Sequence, residues 1–474
     1  MLKKTRLVCT MGPACDNEET LRKMMENGMN VARFNFSHGS YEEHLGRYNR
    51  VVKVRDELKL PVATLFDSKG PEIRFRLFEG SKVTINDGDL FTLTTREILG
   101  NNTIGSISYK NLINDVQIGT SILVNDGLIE LKVEKVGDTD IVCRVINGGV
   151  ISDRKAINVP GVHLSLPFLS DVDRRDLEFA MKTGFDFFAL SFVRCAEDVL
   201  EVRRLQKEHN NTSKLIAKIE SQEGVENLDA IIDVADGIMV ARGDMGVEIP
   251  FIKLPEIQKT IIRKVVSRGK YVITATQMLE SMTTAPRPTR AEISDVANAV
   301  YDGTSAVMLS AESAAGRYPI ESVKALDAIC SEAEENGEFT ALHEYVEEHG
   351  MKDTNPIRSS ICKAAKNIAQ AVGAKAIIVE SATGRVARAM VHYRPDCPVI
   401  AVATSQLVCR KLCLNWGVMA VMGEEKRTSD SITKQAMEKA LSTGVVKKGD
   451  TVVVLSSNKT CPTSSTDSLN VRIL

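Results

Sequence analysis

The sequence predicts an α/β architecture: a (β/α)8 barrel of the TIM type, with an inserted small all-β domain and a C-terminal α/β domain. Three observations carry it. Short β-branched runs alternate with helical patterns in two separated stretches, period-two runs with Asn-Asp-Gly turns lie between them, and a second βα alternation closes the chain. At roughly 100–200 residues per domain, 474 residues make room for about three domains.

The first stretch, up to about residue 70, opens with a strand at Arg6 to Cys9. Asp16 reads as a helix N-cap with Glu19 three residues on, Leu21, Met24 and Met25 give an apolar stripe, and Gly28 stops the helix. Val31 to Phe34 is the next strand. From Pro71 to Pro167 the rhythm is of period two, and Asn-Asp-Gly at 86–88 and at 125–127 predicts hairpins, so this segment reads as an inserted β-barrel. The βα alternation then resumes with Phe187 to Phe192, Leu215 to Ile219, Gly237 to Val240, Tyr271 to Ala275 and Ala306 to Leu309. Together with the strands before residue 70 these make about eight repeats in roughly 250 residues, the size of a (β/α)8 barrel. The last part alternates Ile357 to Val372 as a helix with strands at Ala376 to Val379, Val399 to Val402 and Thr451 to Leu455. The domains expected are therefore 1–70 plus 168–342, 71–167 and 343–474.

The formal net charge of -2 and 43 % hydrophobic content are an ordinary globular balance, and nothing in them points to nucleic acid or to a membrane surface. The ten cysteines contain no CxxC pair and no zinc spacing. Cys409 and Cys413, four apart, predict two buried thiols on one helix face. The N-terminus lacks a signal-like apolar run and no span approaches the ~20 residues of a membrane helix, so a reducing cytoplasm is expected.

Active sites of such barrels lie at the C-terminal ends of the strands, and this chain places polar residues there repeatedly. The ends read Arg33 to Ser37, Asp67-Ser68-Lys69, Lys218-Ile219-Glu220, Ala241 to Asp244 and Thr274 to Thr276. Residues two apart on a strand share a face, so Arg33 projects with Asn35 and Lys218 with Glu220. Glu220 and Asp244 end successive strands. As hard oxygen donors they suit Mg²⁺ or Mn²⁺, or else they are satisfied by Lys218 and Arg242 in a structural network. Gly243 to Gly246 is a tight turn whose N–H groups suit an anion, and Arg33, Lys69, Arg74 and Lys218 suit a substrate with several negative oxygens. Neither a GxxxxGK[ST] loop nor a GxGxxG turn is present.

Seven segments resemble the pyruvate kinase family: Cys9 to Pro13, Asn30 to Gly39, Lys69 to Arg74, Asn158 to Gly161, Val240 to Pro250, Thr276 to Met282 and Arg287 to Val300. The resemblance implies a glycolytic phosphotransferase that moves the phosphoryl group of phosphoenolpyruvate to ADP, giving pyruvate and ATP, with Mg²⁺ or Mn²⁺ and K⁺ as cofactors. It implies that Arg33 binds substrate phosphate, that Asn35, Ser37, Asp67 and Ser68 hold K⁺, and that Glu72 goes with K⁺ dependence. Asn35, His38, Arg74 and Lys155 would contact the nucleotide, with the inserted domain as a lid. Lys218 would stabilise the phosphoryl group and the enolate, Glu220 and Asp244 would hold the divalent metal, Thr276 would order the protonating water, and the Gly243 and Asp244 N–H groups would hold the substrate carboxylate. A homotetramer is implied, and the loop Ser381, Thr383, Gly384, Arg385 would bind a phosphorylated allosteric effector.

The sequence departs from the family pattern at Ser68, Val172, Ser221, Ser305, Ala311 and Val386, and over 456–468. Two other readings stay open at this point: a metal-dependent lyase or aldolase acting on a pyruvate-like enolate, and a metabolite sensor that keeps the fold but turns over poorly.

Overall fold

The computed structural model describes residues 3–337, 339–349, 355–424, 429–456, 466 and 468–474. Most of the tail segment 456–468 thus lies outside the described residues. Eight parallel strands close into a barrel: Arg6–Thr10, Met29–Asn35, Ala63–Asp67, Phe187–Leu190, Lys214–Ile219, Gly237–Ala241, Tyr271–Ala275 and Ala306–Leu309. Each strand lies beside its neighbours in sequence, and the ring closes where Arg6 to Cys9 pair with Ala306 to Leu309. Alternate side chains fill the interior, among them Val8, Leu65, Phe187, Met239 and Ile273, while the other face packs under the helices. Among the described residues no helix is long and apolar enough to cross a membrane.

The first helix begins one residue later than the sequence suggests. Asn17 is its N-cap, accepting the Thr20 N–H at 2.8 Å, because Asp16 is drawn away into ion pairs with Arg47 and Arg50.

The segment expected as a β-barrel is a seven-stranded sheet whose first and last strands also meet, where Phe75 bridges Ile107, the Arg76 N–H donates to Ser106 O at 2.8 Å and the Ser108 N–H to Arg74 O at 2.8 Å; a separate two-stranded sheet shares its core. The turn at 125–127 makes a true hairpin between Ser121–Val124 and Ile129–Val136, with Asn125 and Asp126 both left-handed. The identical triplet at 86–88 does not. It joins strands of two different sheets, since Lys82–Ile85 pairs with Gly149–Ser152 while Leu90–Thr94 pairs with Asp140–Asn147. The same turn chemistry therefore serves a corner as readily as a hairpin.

The C-terminal sheet has the order Val418–Met422, Val399–Ala403, Ala376–Glu380, Thr451–Ser456, Ser468–Ile473, the last strand antiparallel. This domain docks on the N-terminal end of the barrel. Leu414 and Cys413 join the core inside the barrel, and Arg410 donates to Asp186 at 2.8 Å. Cys409 and Cys413 are buried but do not share a helix, because the helix Gln406–Lys411 ends before Cys413.

Candidate active site

The C-terminal ends of the strands gather four charged side chains on one rim. Asp67 is fully buried. Its Oδ2 accepts Arg33 Nε at 2.6 Å, and its Oδ1 lies 3.2 Å from Lys218 Nζ. Lys218 Nζ also donates to Ser191 Oγ at 2.6 Å and sits 3.0 Å from Glu220 Oε1. Arg33 Nη1 donates to Thr10 Oγ1 at 2.8 Å, and the Phe192 N–H donates to Glu220 Oε2 at 2.6 Å. The ends of five strands thus contribute to one network around these charges, as the strand-end reading expects.

Burial pushes Asp67 up, but Arg33 and Lys218 outweigh it and hold the carboxyl below its ordinary range. Burial would drain the charge of Lys218, yet Asp67, Glu220 and Asp244 keep the ammonium above its ordinary value. Glu220 goes the other way: burial and the neighbouring Asp244 push it up to about 8 against the pull of Lys218. Its Oε1 is buried and, despite the nearby ammonium, accepts no hydrogen bond in good line. Lys218 is its one ion-pair partner among the described residues, and Asp244 adds further negative charge beside it.

That observation tests the metal. The described residues contain no cluster of three His, Cys, Asp or Glu side chains suited to an ion, so Glu220 with half-buried Asp244 is a two-carboxylate site. Mg²⁺ accepts such a site, because it keeps waters and substrate oxygens in its other positions. The residues fit. Arg242 does not neutralise this pair, as the alternative network would need: its Nη1 is 2.7 Å from Asp295. For K⁺, Asn35, Ser37, Asp67 and the Ser68 carbonyl supply oxygens only, although Asp67 already carries two cations.

Thr276 follows the strand Tyr271–Ala275 with φ 70°, and Gln277 with φ 53°. A β-branched residue in the left-handed region costs about 1–3 kcal/mol and persists only when held. Arg242 holds it, donating to Thr276 O at 2.6 Å and to Ala275 O at 3.2 Å. Thr276 Oγ1 in turn accepts the Gly243 N–H at 2.8 Å. The Gly243 N–H, expected to face a carboxylate, is therefore engaged by Thr276.

Arg74 and Lys155 lie on adjoining strands of the inserted domain, where Ala156 pairs with Arg74 and the Phe75 N–H donates to Lys155 O at 2.9 Å. Arg74 Nε donates to Glu72 at 2.7 Å, so Glu72 faces a cation of the protein itself. Between this domain and the rim lies a cleft of about 440 Å³ bordered by Glu72, Asn158, Phe192, Ser221, Asp244 and Glu248. Asn158 Nδ2 donates across it to Glu248 Oε1 at 2.8 Å. His38 is exposed, its carbonyl held by His44 at 2.8 Å; no contact ties its side chain to the rim network.

Sequence reasoning missed Ser191, and named Arg242 only as a partner for the two carboxylates, not as the residue that holds Thr276. Ser191 lies just past the strand Phe187–Leu190, and its Oγ also donates to the Ser68 carbonyl at 2.7 Å, tying Lys218 to the Asp67 strand. Its place at a strand end was the available signal. The departures from the family pattern have local roles. Ser221 caps the helix Gln222–Glu226 through Gly224 N, Ser68 Oγ accepts the Ser191 N–H at 3.0 Å, and Ser305 Oγ accepts the Val272 N–H at 3.2 Å. Val172 is exposed. In the C-terminal domain, Gly384 (φ 74°) precedes the helix Arg385–His392, and Ser381 Oγ is buried without a hydrogen-bond partner among the described residues.

Two family models match this chain: the pyruvate kinase barrel domain over residues 2–323 and the pyruvate kinase alpha/beta domain over 359–472. The chain is similar to a pyruvate kinase of Clostridium acetobutylicum, 45 % identical over 100 % of both chains. It is 44 % identical to one of Clostridium perfringens over 99 % of both. A solved pyruvate kinase from Cryptosporidium parvum superposes with TM-score 0.93 at 37 % identity, covering 99 % of this chain and 96 % of that one.

Proposed function

Because the chain belongs to the pyruvate kinase family, we propose that it transfers the phosphoryl group of phosphoenolpyruvate to ADP on the rim described above. The supporting observation is Lys218, an ammonium held charged between Asp67 and Glu220 on the rim, with Ser221 and Asp244 bordering the cleft beside it. Phosphoryl transfer needs charge neutralisation and positioning more than covalent chemistry.

Arg33 and Lys218 present fixed positive charge to the oxygens of the group in flight, and their partners keep both side chains in place before substrate arrives. Glu220 and Asp244 would hold the divalent cation, which when bound supplies further neutralisation at phosphoryl and carboxylate oxygens. Asn35, Ser37, Asp67 and Ser68 would hold K⁺. Arg74 and Lys155 adjoin Ile73 and Ala156, which line the cleft, and would bind the nucleotide phosphates together with Asn35 and His38. Thr276 orients the water that delivers a proton to carbon once the enolate is released. The inserted domain, linked to the barrel through Asn158 and Glu248, would exclude water as it closes. The family membership also supports a homotetramer, a cytoplasmic location and an effector at Ser381, Thr383, Gly384 and Arg385.

The test is pyruvate formation from phosphoenolpyruvate and ADP with Mg²⁺, in K⁺ and in Na⁺, comparing the wild type with Lys218→Ala. Metal-dependent activity lost in Lys218→Ala establishes the reading; a wild type silent under all conditions returns the sensor hypothesis.

A further inference from the structure

The Lys218 ammonium has three N–H donors and meets three partners: Ser191 Oγ at 2.6 Å, Glu220 Oε1 at 3.0 Å and Asp67 Oδ1 at 3.2 Å. The shortest of these contacts is to the neutral group. Attraction to the two carboxylates is strong but has little direction, whereas a hydrogen bond prefers a line, so the hydroxyl decides where the ammonium points. Ser191 is itself fixed. It is 2 % exposed, and its single proton goes to the Ser68 carbonyl at 2.7 Å in preference to Asp67 Oδ1 at 3.5 Å. With that proton spent, a lone pair faces Lys218.

A second observation concerns what the hydroxyl is not needed for. The Ser191 N–H donates to Ser68 Oγ at 3.0 Å, and the Ser68 N–H donates to Ala189 O at 2.9 Å. Gly70 lies so close that a Cβ there would come 2.8 Å from Ser191 Cβ. The two strand ends are therefore pinned side by side through the Ser191 and Ser68 backbone. The Ser191 hydroxyl adds a separate line of hydrogen bonds, from the Ser68 carbonyl to the Lys218 ammonium. Hydrogen bonds in series polarise one another, so a change at one end of such a line is felt at the other.

We propose that Ser191 is a positioning residue that makes Lys218 sensitive to which monovalent cation sits on the Ser68 carbonyl. This rests on the K⁺ reading of Asn35, Ser37, Asp67 and Ser68 given above. A carbonyl oxygen carries two lone pairs, so Ser191 on one leaves the other for a cation. A smaller ion draws its oxygens closer and polarises them more, and the Ser68 carbonyl passes both changes to the hydroxyl bonded to it. Lys218 then meets the phosphoryl group from a different place with Na⁺ than with K⁺. Asp67 is the other route between the two sites, but Arg33 at 2.6 Å and Lys218 at 3.2 Å each hold one of its oxygens against displacement.

The test compares the wild type with Ser191→Ala in two readouts. One is kcat with Mg²⁺, ADP and phosphoenolpyruvate all saturating, in K⁺ and in Na⁺; the other is the rise in melting temperature as K⁺ replaces tetramethylammonium at constant ionic strength, which reports cation binding without turnover. In the wild type, kcat should be higher in K⁺ than in Na⁺, and K⁺ should raise the melting temperature. In Ser191→Ala, kcat in K⁺ should fall roughly tenfold and the K⁺ to Na⁺ ratio should shrink to within about twofold, while the K⁺-dependent rise in melting temperature persists. A serine that only supports the fold would lower kcat equally in both ions; an unchanged ratio therefore overturns the coupling and leaves the K⁺ site standing. Loss of the folded state, or of the K⁺-dependent rise in the variant alone, overturns it too, because Ser191 would then build the site instead of relaying it. A wild type whose melting temperature ignores K⁺ removes the K⁺ reading, and the coupling falls with it.

Discussion

The two ends of the barrel handle positive charge in opposite ways. At the rim, Arg33 and Lys218 are locked against Asp67, with Lys218 also against Glu220 and Ser191. At the base, Arg385 and Arg388 line a cavity whose carboxylates among the described residues, Asp233 and Asp236, pair with other cations. Pairing costs affinity for a passing anion but fixes geometry, which is what a developing charge in a transition state requires. Unpaired charge sacrifices geometry and leaves a standing demand for an anion.

The sharpest way to break the comparison is Lys218→Met, which should lower the rate of pyruvate formation by about 10²–10³-fold, the typical cost of one electrostatic donor, in a chain whose circular dichroism is retained. An equal rate in the variant would mean that the rim's pairing is structural. At the base, Asp236→Asn strips three partners and should destabilise the fold by about 2–3 kcal/mol in urea unfolding at neutral pH. Although burial opposes it, Lys214 and Arg203 hold the folded Asp236 below the ordinary carboxylate range. Its contribution is therefore present at neutral pH and disappears as pH falls through and below that range, so wild type and variant should converge in acid. A milder perturbation is Arg242→Gln, which releases the strained Thr276; kcat should fall about tenfold with KM little changed, read from steady-state kinetics. Smallest is Asn158→Ala, which cuts the link to Glu248 and should raise the KM for ADP about two- to threefold, the loss of one neutral-to-charged hydrogen bond partly exposed to water.

Much of the rim was legible in the chain. The barrel strands announce themselves by β-branched runs, and a polar residue just past such a run falls at the catalytic end by topology alone, which is how Arg33, Asp67, Lys218, Glu220 and Thr276 were found. Ser191 was not, and Arg242 was read only as a partner for the two carboxylates, because a hydrogen bond to a distant carbonyl leaves no periodicity. Local chemistry misled where a longer-range partner competed. Asp16 looks like a helix cap until Arg47 and Arg50 claim it, and Asn-Asp-Gly at 86–88 looks like a hairpin until Gly149–Ser152 pairs with the preceding strand.

By itself, then, the sequence determined the order of elements, the end of the barrel that carries chemistry and most residues there, because periodicity and strand-end position are local properties of the chain. Only the tertiary structure decided which cation meets which carboxylate, why Gly243 serves Thr276, and that the C-terminal domain closes a basic cavity over Tyr271. Those facts depend on strand register and domain docking, where residues far apart in sequence come within ångströms through the packing of whole cores, and no short stretch of sequence encodes that.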